Sequence, residues 1–170
     1  VEPGEIIIIR NNKLESIKPF SKSYLRPCLF EYIYFARPDS ILDGRNVYEV
    51  RKKIGHELAA ENFDDREKID VVIPIPDSGN ASALGYAEKI GRNFDLGIIR
   101  NHYTGRTFIQ ESNTIRNLSV KLKHNPNLNS LKNKNIALID DSIVRGTTSV
   151  KIVEMLKNCG VKKIHMRIAS

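Results

Sequence analysis

The run Ile136-Ala137-Leu138-Ile139-Asp140-Asp141-Ser142-Ile143-Val144-Arg145-Gly146-Thr147-Thr148-Ser149 constrains the fold more than any other stretch of this chain. Its four leading apolar residues read as a strand buried on both faces, as in a parallel sheet. Two carboxylates follow at the carboxyl end of that strand, where open α/β sheets place their ligands. A short loop with several hydroxyls comes next. Beyond it Val150, Val153 and Leu156 recur at helical spacing, and Gly160 supplies a stop. Backbone N–H groups, hydroxyls and a helix N-terminus therefore converge on one spot, which suits a phosphate. Asp140 and Asp141 cannot bind phosphate themselves. They suit a divalent cation or the hydroxyls of a sugar. Phosphate, sugar diol and metal together describe a phosphorylated ribose.

The rest of the chain alternates strand and helix patterns. Glu5–Arg10 and Lys13–Ile17, joined by Asn11-Asn12, read as a β-hairpin. Leu29–Phe35 reads as a strand that Arg37-Pro38-Asp39-Ser40 breaks. Asn46 with Glu49 makes a capping box for a helix whose inner face is Val47, Val50, Ile54 and Leu58. Asp64–Lys68 is a charged surface loop. Val71–Ile73 is a second buried strand, ending in Pro74-Ile75-Pro76. Asp77, Ser78 and Gly79 follow at its end and open a helix with Ala83, Leu84, Ala87 and Ile90 on one face, so they form a second anion-binding N-terminus. As a plain alternative, Asp77 or Ser78 is an N-cap. Leu96–Ile99 is a third strand, residues 101–126 are polar without a period, and Lys163–Ile168 closes the pattern. The fold class is α/β: a mostly parallel twisted sheet with flanking helices, preceded by a short β-hairpin.

Composition narrows the function classes. No apolar run in the 170 residues approaches the roughly 18 that a membrane span needs. Two cysteines without a Cys-x-x-Cys pair fit a reducing cytoplasm better than a disulfide scaffold. Cys159 reads as a small core residue at a helix end and Cys28 as structural. The net charge of +7 invites a nucleic-acid reading. Between Arg100 and Lys123, however, five basic residues face one acid, Glu111, with few aromatics to stack bases. A polyanionic small molecule fits better, and neither nucleic acid nor membrane is expected as a partner. His102 and His124 in that stretch read as solvent-exposed.

Four blocks in register resemble the glutamine phosphoribosylpyrophosphate amidotransferase family, whose transferase part has the type I phosphoribosyltransferase fold. They are Phe30–Ser40, Val72–Gly79, Gly105–Gln110 and the Asp140–Ser149 signature. The resemblance spans the chain. It implies that residues 21–170 are a phosphoribosyltransferase domain incomplete at its C-terminus. Residues 1–20 then resemble the tail of an upstream glutaminase domain, whose cysteine nucleophile nothing here matches. It further implies transfer from phosphoribosyl pyrophosphate (PRPP) to ammonia from that glutaminase, giving phosphoribosylamine in purine synthesis.

The implied substrate-binding residues are Asp77, Ser78, Gly79, Asp140, Asp141, Ser142, Arg145, Gly146, Thr147, Thr148 and Ser149. The implied Mg²⁺ site is Ser78, Asp140 and Asp141. Arg106, Gln110 and Lys121, in a loop that closes over PRPP, are the implied catalytic residues, with Thr107, Arg116 and Lys123 beside them. Glu111 stands where relatives often have Pro, and Asn117 and Leu118 replace part of a more basic run. The intact protein is expected to be a homo-oligomer, with purine nucleotides as inhibitors. Cys28 matches an iron–sulfur ligand of some relatives, but two cysteines cannot build a four-thiolate cluster. Two other readings stay open: a regulator that binds PRPP or nucleotides without turnover, and an inactive remnant.

Overall fold

Two segments apolar along their whole length, Val71–Pro74 and Ile136–Ile139, lie side by side at the centre of one sheet. The computed structural model describes residues 1–20, 24, 26–61, 63–101 and 124–170. In chain order the elements are β1 (Ile6–Arg10), β2 (Lys13–Ile17), β3 (Ile41–Leu42), β4 (Arg45–Asn46), α1 (Val47–Glu61), β5 (Val71–Pro74), α2 (Asn80–Ile90), β6 (Asn93–Phe94), β7 (Ile98–Arg100), β8 (His124–Pro126), α3 (Leu128–Leu131), β9 (Asn135–Asp140), α4 (Thr147–Asn158) and β10 (Lys163–Ile168). The main sheet has the order β10-β9-β5-β6, with every pair parallel.

Alternation along the two central strands divides the core. Val72, Ala137 and Ile139 pack with Leu58, Ala83, Tyr86 and Ile90 of α1 and α2. Val71, Ile73, Ile136 and Leu138 pack with Leu131, Ile152 and Leu156 of α3 and α4. Side chains at odd and even strand positions point to opposite faces, so both faces need apolar residues and the strands read as unbroken apolar runs.

The N-terminal hairpin forms as its sequence implies. Asn11 and Asn12 have φ of 47° and 57°, the left-handed pair that a two-residue turn requires. The α1 start also holds, because Asn46 Oδ1 accepts the Glu49 N–H at 3.1 Å.

Several expectations change. Leu29–Phe35 is not a strand; Glu31–Phe35 is a wide helical turn. Its β-branched and aromatic residues favour a pleated surface, but among the described residues no strand pairs with it. Instead the Arg51 guanidinium donates to the carbonyls of Tyr32 at 2.6 Å and Ala36 at 2.9 Å, which gathers the segment into a turn.

The third sheet strand is Asn93–Phe94, earlier than the apolar run Leu96–Ile99. At Gly97 a Cβ would lie 2.7 Å from Ile73 Cδ1, so the chain leaves the sheet over the core there. Ile98–Arg100 then pairs antiparallel with His124–Pro126. His124 is consequently buried, not exposed. Asp64–Lys68 is part of a 3-10 helix, Phe63–Lys68, not an open loop. Cys28 is exposed and fills no core, while Cys159 is half-buried at the α4 end. On α4 the inward residues are Ile152 and Leu156, and Val150 is exposed.

The inner faces of α1 and α2 are also rotated from the expected ones. Val50, Ile54 and Leu84 are only half-buried, whereas Arg51, Gly55, Ser82 and Gly85 turn inward. Backbone contact causes this. A Cβ on Gly55 would lie 1.9 Å from Ser82 O, and one on Gly85 would lie 2.0 Å from Lys52 O. Only hydrogen at those positions allows the helices to meet so closely. Gly85→Ala should force them apart and destabilise the domain by about 1–3 kcal/mol, the usual cost of overpacking. Urea unfolding of the variant against the unaltered protein measures this, with a shift in midpoint at constant slope expected.

Candidate functional site

Strand order places the site before any side chain is considered. From β5 the chain passes through α2 to β6 on one side, and the next sheet strand, β9, lies on the other side of β5. The loops leaving β5 and β9 therefore diverge, one to α2 and one to α4, and open a crevice at the carboxyl ends of the two strands. Asp77, Ser78 and Gly79 stand on one side of it, and Asp140 to Ser149 on the other.

The two loops are tied together. Ile75 N–H donates to Ile139 O at 2.8 Å, and Gly79 N–H donates to Ile75 O at 3.0 Å. A Cβ on Gly79 would lie 2.6 Å from Ile139 O. Gly79 is thus required for close approach of the loop to β9, and its own N–H is already used. The Pro76–Asp77 peptide is cis. Asp77 is exposed and ion-pairs with Arg100 at the end of β7. Sequence reading assigned no role to Arg100. Only the antiparallel excursion of β7 carries it to the mouth of the crevice, so no local signal could have revealed it.

On the β9 side, Asp140 is half-buried and Asp141 buried. Asp141 N–H donates to Asp140 Oδ1 at 3.0 Å, and Ser142 Oγ donates to Asp141 Oδ1 at 2.9 Å. Asp141 Oδ2 is sealed from solvent and has no hydrogen-bond partner among the described residues. An ionised oxygen in that position is an acceptor lacking a donor. The Asp140 carboxyl is pushed up to about 6 by its burial and by the Asp141 charge, against a smaller opposing effect of the Asp141 N–H bond.

The phosphate end of the site is α4. Gly146, at φ 71°, turns the chain into the helix, and the first return bond is from Val150 N–H to Gly146 O at 3.0 Å. No side chain caps this helix, and none caps α2 at Gly79. The plain N-cap alternative for Asp77 and Ser78 therefore does not hold. Both helices present open N-termini, the arrangement that attracts anions. Thr147 and Thr148 are exposed, Ser149 and Ser142 are half-buried, and Arg145 projects into solvent. Asn80 adds a feature that sequence reading missed: its Oδ1 is sealed without a partner at the start of α2.

The Asp77–Gly79 loop is thus tied to the end of β9, where Asp140 and Asp141 stand and from which residues 142–146 lead to α4. Arg106, Thr107, Gln110, Arg116, Lys121 and Lys123 lie outside the described residues, as does His102.

A family model described as "Phosphoribosyl transferase domain" matches residues 40–169. The chain belongs to this family. Over its full length it is 50% identical to the amidophosphoribosyltransferase of Rhizobium etli and 46% identical to that of Archaeoglobus fulgidus. It spans 35% and 36% of their lengths, about a third of each. Two solved structures superimpose with a TM-score of 0.82 at 44% identity, each covering all of this chain. One is an allosteric regulatory enzyme of purine biosynthesis, of which the match covers 36%. The other is the glutamine PRPP amidotransferase of B. subtilis in complex with ADP and GMP, of which it covers 37%. The fold is therefore that of a phosphoribosyltransferase domain.

The raised Asp140 carboxyl sets a pH dependence. A cation needs the ionised form, and below about 6 the carboxyl is mostly protonated and must first lose its proton. Affinity for a Mg²⁺-loaded ribose phosphate should rise about tenfold from pH 5 to pH 7 and then level off. Phosphate oxygens also titrate near pH 6, so Asp140→Asn is the control: calorimetry should show the residual slope of the ligand alone. The same variant should melt at a higher temperature than the unaltered protein at pH 7.5, because it removes a carboxylate whose charge is disfavoured by burial.

Proposed function

We propose that this chain is the PRPP-binding catalytic centre of an amidophosphoribosyltransferase. The observation that carries the reading is the juxtaposition, at one switch point, of two uncapped helix N-termini and an acidic pair, one half-buried and one buried. Phosphate at both ends of a ribose, with a diol between them, matches that sequence of groups.

In this reading the amides and hydroxyls of Thr147, Thr148 and Ser149 hold the 5′-phosphate, with Ser142, Arg145 and Gly146 completing the loop. Asp140, the more exposed carboxylate of the pair, and Asp141 accept hydrogen bonds from the ribose hydroxyls. The Asp77–Gly79 loop and the open α2 terminus face the pyrophosphate. The bond from the anomeric carbon to the pyrophosphate oxygen breaks, the bond from that carbon to ammonia nitrogen forms, and a proton leaves the nitrogen. Positive charge builds on the sugar as in glycoside cleavage, and the acidic pair stabilises it.

The donor set fits Mg²⁺ arriving with the substrate. Ser78, Asp140 and Asp141 are hard oxygen donors, and no cluster of three or more His, Cys, Asp or Glu among the described residues could cage an ion alone. When bound, Mg²⁺ neutralises the leaving pyrophosphate. Arg106 and Gln110 are assigned to closure over the polyphosphate on the strength of the Gly105–Gln110 motif, and Lys121 on the resemblance of the stretch from Arg100 to Lys123 to the family's loop.

Ammonia, from a glutaminase region that would precede residues 21–170, is the nucleophile of the whole protein. Purine nucleotides are proposed as its inhibitors, in line with the ADP and GMP complex of the B. subtilis protein, and a homo-oligomer is proposed as its assembly. No helix among the described residues is long and apolar enough to cross a membrane. Two free thiols are consistent with a reducing compartment such as the cytoplasm.

Asp141→Ala should weaken Mg²⁺-dependent PRPP binding by about 100-fold or more, as expected for a charge-positioning group in a preorganised site. Calorimetric titration is the check, and equal affinity would remove the acidic pair from the site. An ammonium salt at high pH, with PRPP and Mg²⁺, should release pyrophosphate without glutamine. Binding without release would instead make the protein a PRPP sensor.

A further inference from the structure

Arg100 has no part in the scheme above, yet a braced arm delivers its charge to the crevice. The brace begins at Gly97, where a Cβ would lie 2.7 Å from Ile73 Cδ1 and 2.9 Å from Leu131 Cδ2. Asn127 N–H donates to Gly97 O at 2.8 Å, and the pairing of β7 with β8 runs from Ile98 beside Pro126 to Arg100 beside His124. Ile98 is fully buried and Ile99 exposed. Alternation along a strand then sets Arg100 on the same face of the arm as Ile98. From there Arg100 Nη1 donates to Asp77 Oδ2 at 2.5 Å. Among the described residues this is the one ion pair that Asp77 makes. Both side chains remain open to solvent, at 36% exposure for Arg100 and 49% for Asp77.

A partly exposed pair adds little to stability. Gly97 and Ile98 already hold the arm against the core, so bracing does not account for the pair. Its electrostatic consequence is larger. Asp77, Asp140 and Asp141 put three carboxylates around a crevice read above as the seat of a polyanion. Mg²⁺ offsets Asp140 and Asp141 when it binds. Asp77 lies outside that set and stands just ahead of the uncapped α2 N-terminus, which faces the pyrophosphate. A bare carboxylate there would repel the pyrophosphate and compete with it for the helix end.

We infer that Arg100 is a positioning residue for the pyrophosphate: held at the crevice mouth by β7 and β8, it cancels the Asp77 charge and so keeps the Asp77–Gly79 loop and the α2 terminus open to a diphosphate. This rests on the PRPP reading above and assigns Arg100 to one end of the substrate. The 5′-phosphate end belongs to residues 142–149 and gains nothing from the pair. The role is therefore one of selectivity. Arg100 favours a ribose phosphate that carries pyrophosphate over one that does not.

The test compares two probes, PRPP and ribose 5-phosphate, each titrated calorimetrically with Mg²⁺ present. Arg100→Gln should weaken PRPP binding about tenfold, the scale for a like charge left bare beside an anion, and leave ribose 5-phosphate within about twofold. Adding Asp77→Asn should return PRPP affinity to within about threefold of the unaltered protein, because the charge that needed cancelling is gone. Arg100→Lys, which keeps the charge, should retain most of the affinity. Equal losses for the two probes would make the pair a structural brace and overturn the inference. A PRPP loss that Asp77→Asn does not relieve would put Arg100 on the ligand itself and overturn it too, as would no loss at all. Should Arg100→Gln not fold, Asp77→Asn alone carries the test. It frees the Arg100 charge, so PRPP affinity should rise about threefold with ribose 5-phosphate unchanged; unchanged or lower PRPP affinity overturns the inference. Failure of the unaltered protein to bind PRPP would overturn the functional reading and this inference with it. PRPP binding that is the same in every variant overturns this inference alone.

Discussion

The pairing of β5 with β9 is the contact on which the rest depends. Its register sets Val71 beside Ile136 and Pro74 beside Ile139, so both strands end at the same level. Ile75 N–H continues the pairing to Ile139 O, and Gly79 packs against that same carbonyl. A slip by one residue would turn every core side chain to the opposite face. It would also separate the Asp77–Gly79 loop from the acidic pair. Fold stability and site geometry therefore rest on one set of hydrogen bonds, and the site is no looser than the sheet that bears it.

The site retains features that a purely stabilising design would remove. Two helix N-termini carry no side-chain cap, although a cap is worth about 1 kcal/mol. Asp140 and Asp141 are adjacent, buried to different degrees, and one oxygen lacks a donor. Under the proposed function the open helix N-termini become favourable when an anion arrives. The site is preorganised in that reading: the ligand supplies the missing partners at the helix ends, and the protein does not have to move charges to meet it.

The α1–α2 contact performs a second, less visible task. Glycines at 55 and 85 let the two backbones touch, and that close approach turns Arg51 inward instead of Val50 or Ile54. The buried arginine then draws Tyr32 and Ala36 around itself. A packing detail between two helices is thus connected, through one side chain, to the turn at Glu31–Phe35.

Local sequence determined a great deal. The Asn11-Asn12 turn, the Asn46 cap, the two buried central strands and the strand–acid–acid–loop–helix order of Ile136–Ser149 all depend on residues near one another in the chain. Propensity, capping and alternation are short-range effects, so they are legible without coordinates. The acidic pair and both helix N-termini were legible for the same reason. Tertiary structure decided the rest. Leu29–Phe35 has the composition of a strand but curls around Arg51, because a buried guanidinium needs acceptors more than a lone strand needs a pleat. His124 is buried because β8 pairs with β7, a partner more than twenty residues back in the chain. Arg100 reaches Asp77 by the same pairing. The inward face of α1 follows from hydrogen atoms on two glycines meeting carbonyls of the other helix. None of these has a local signal, because each depends on which distant backbone happens to lie alongside.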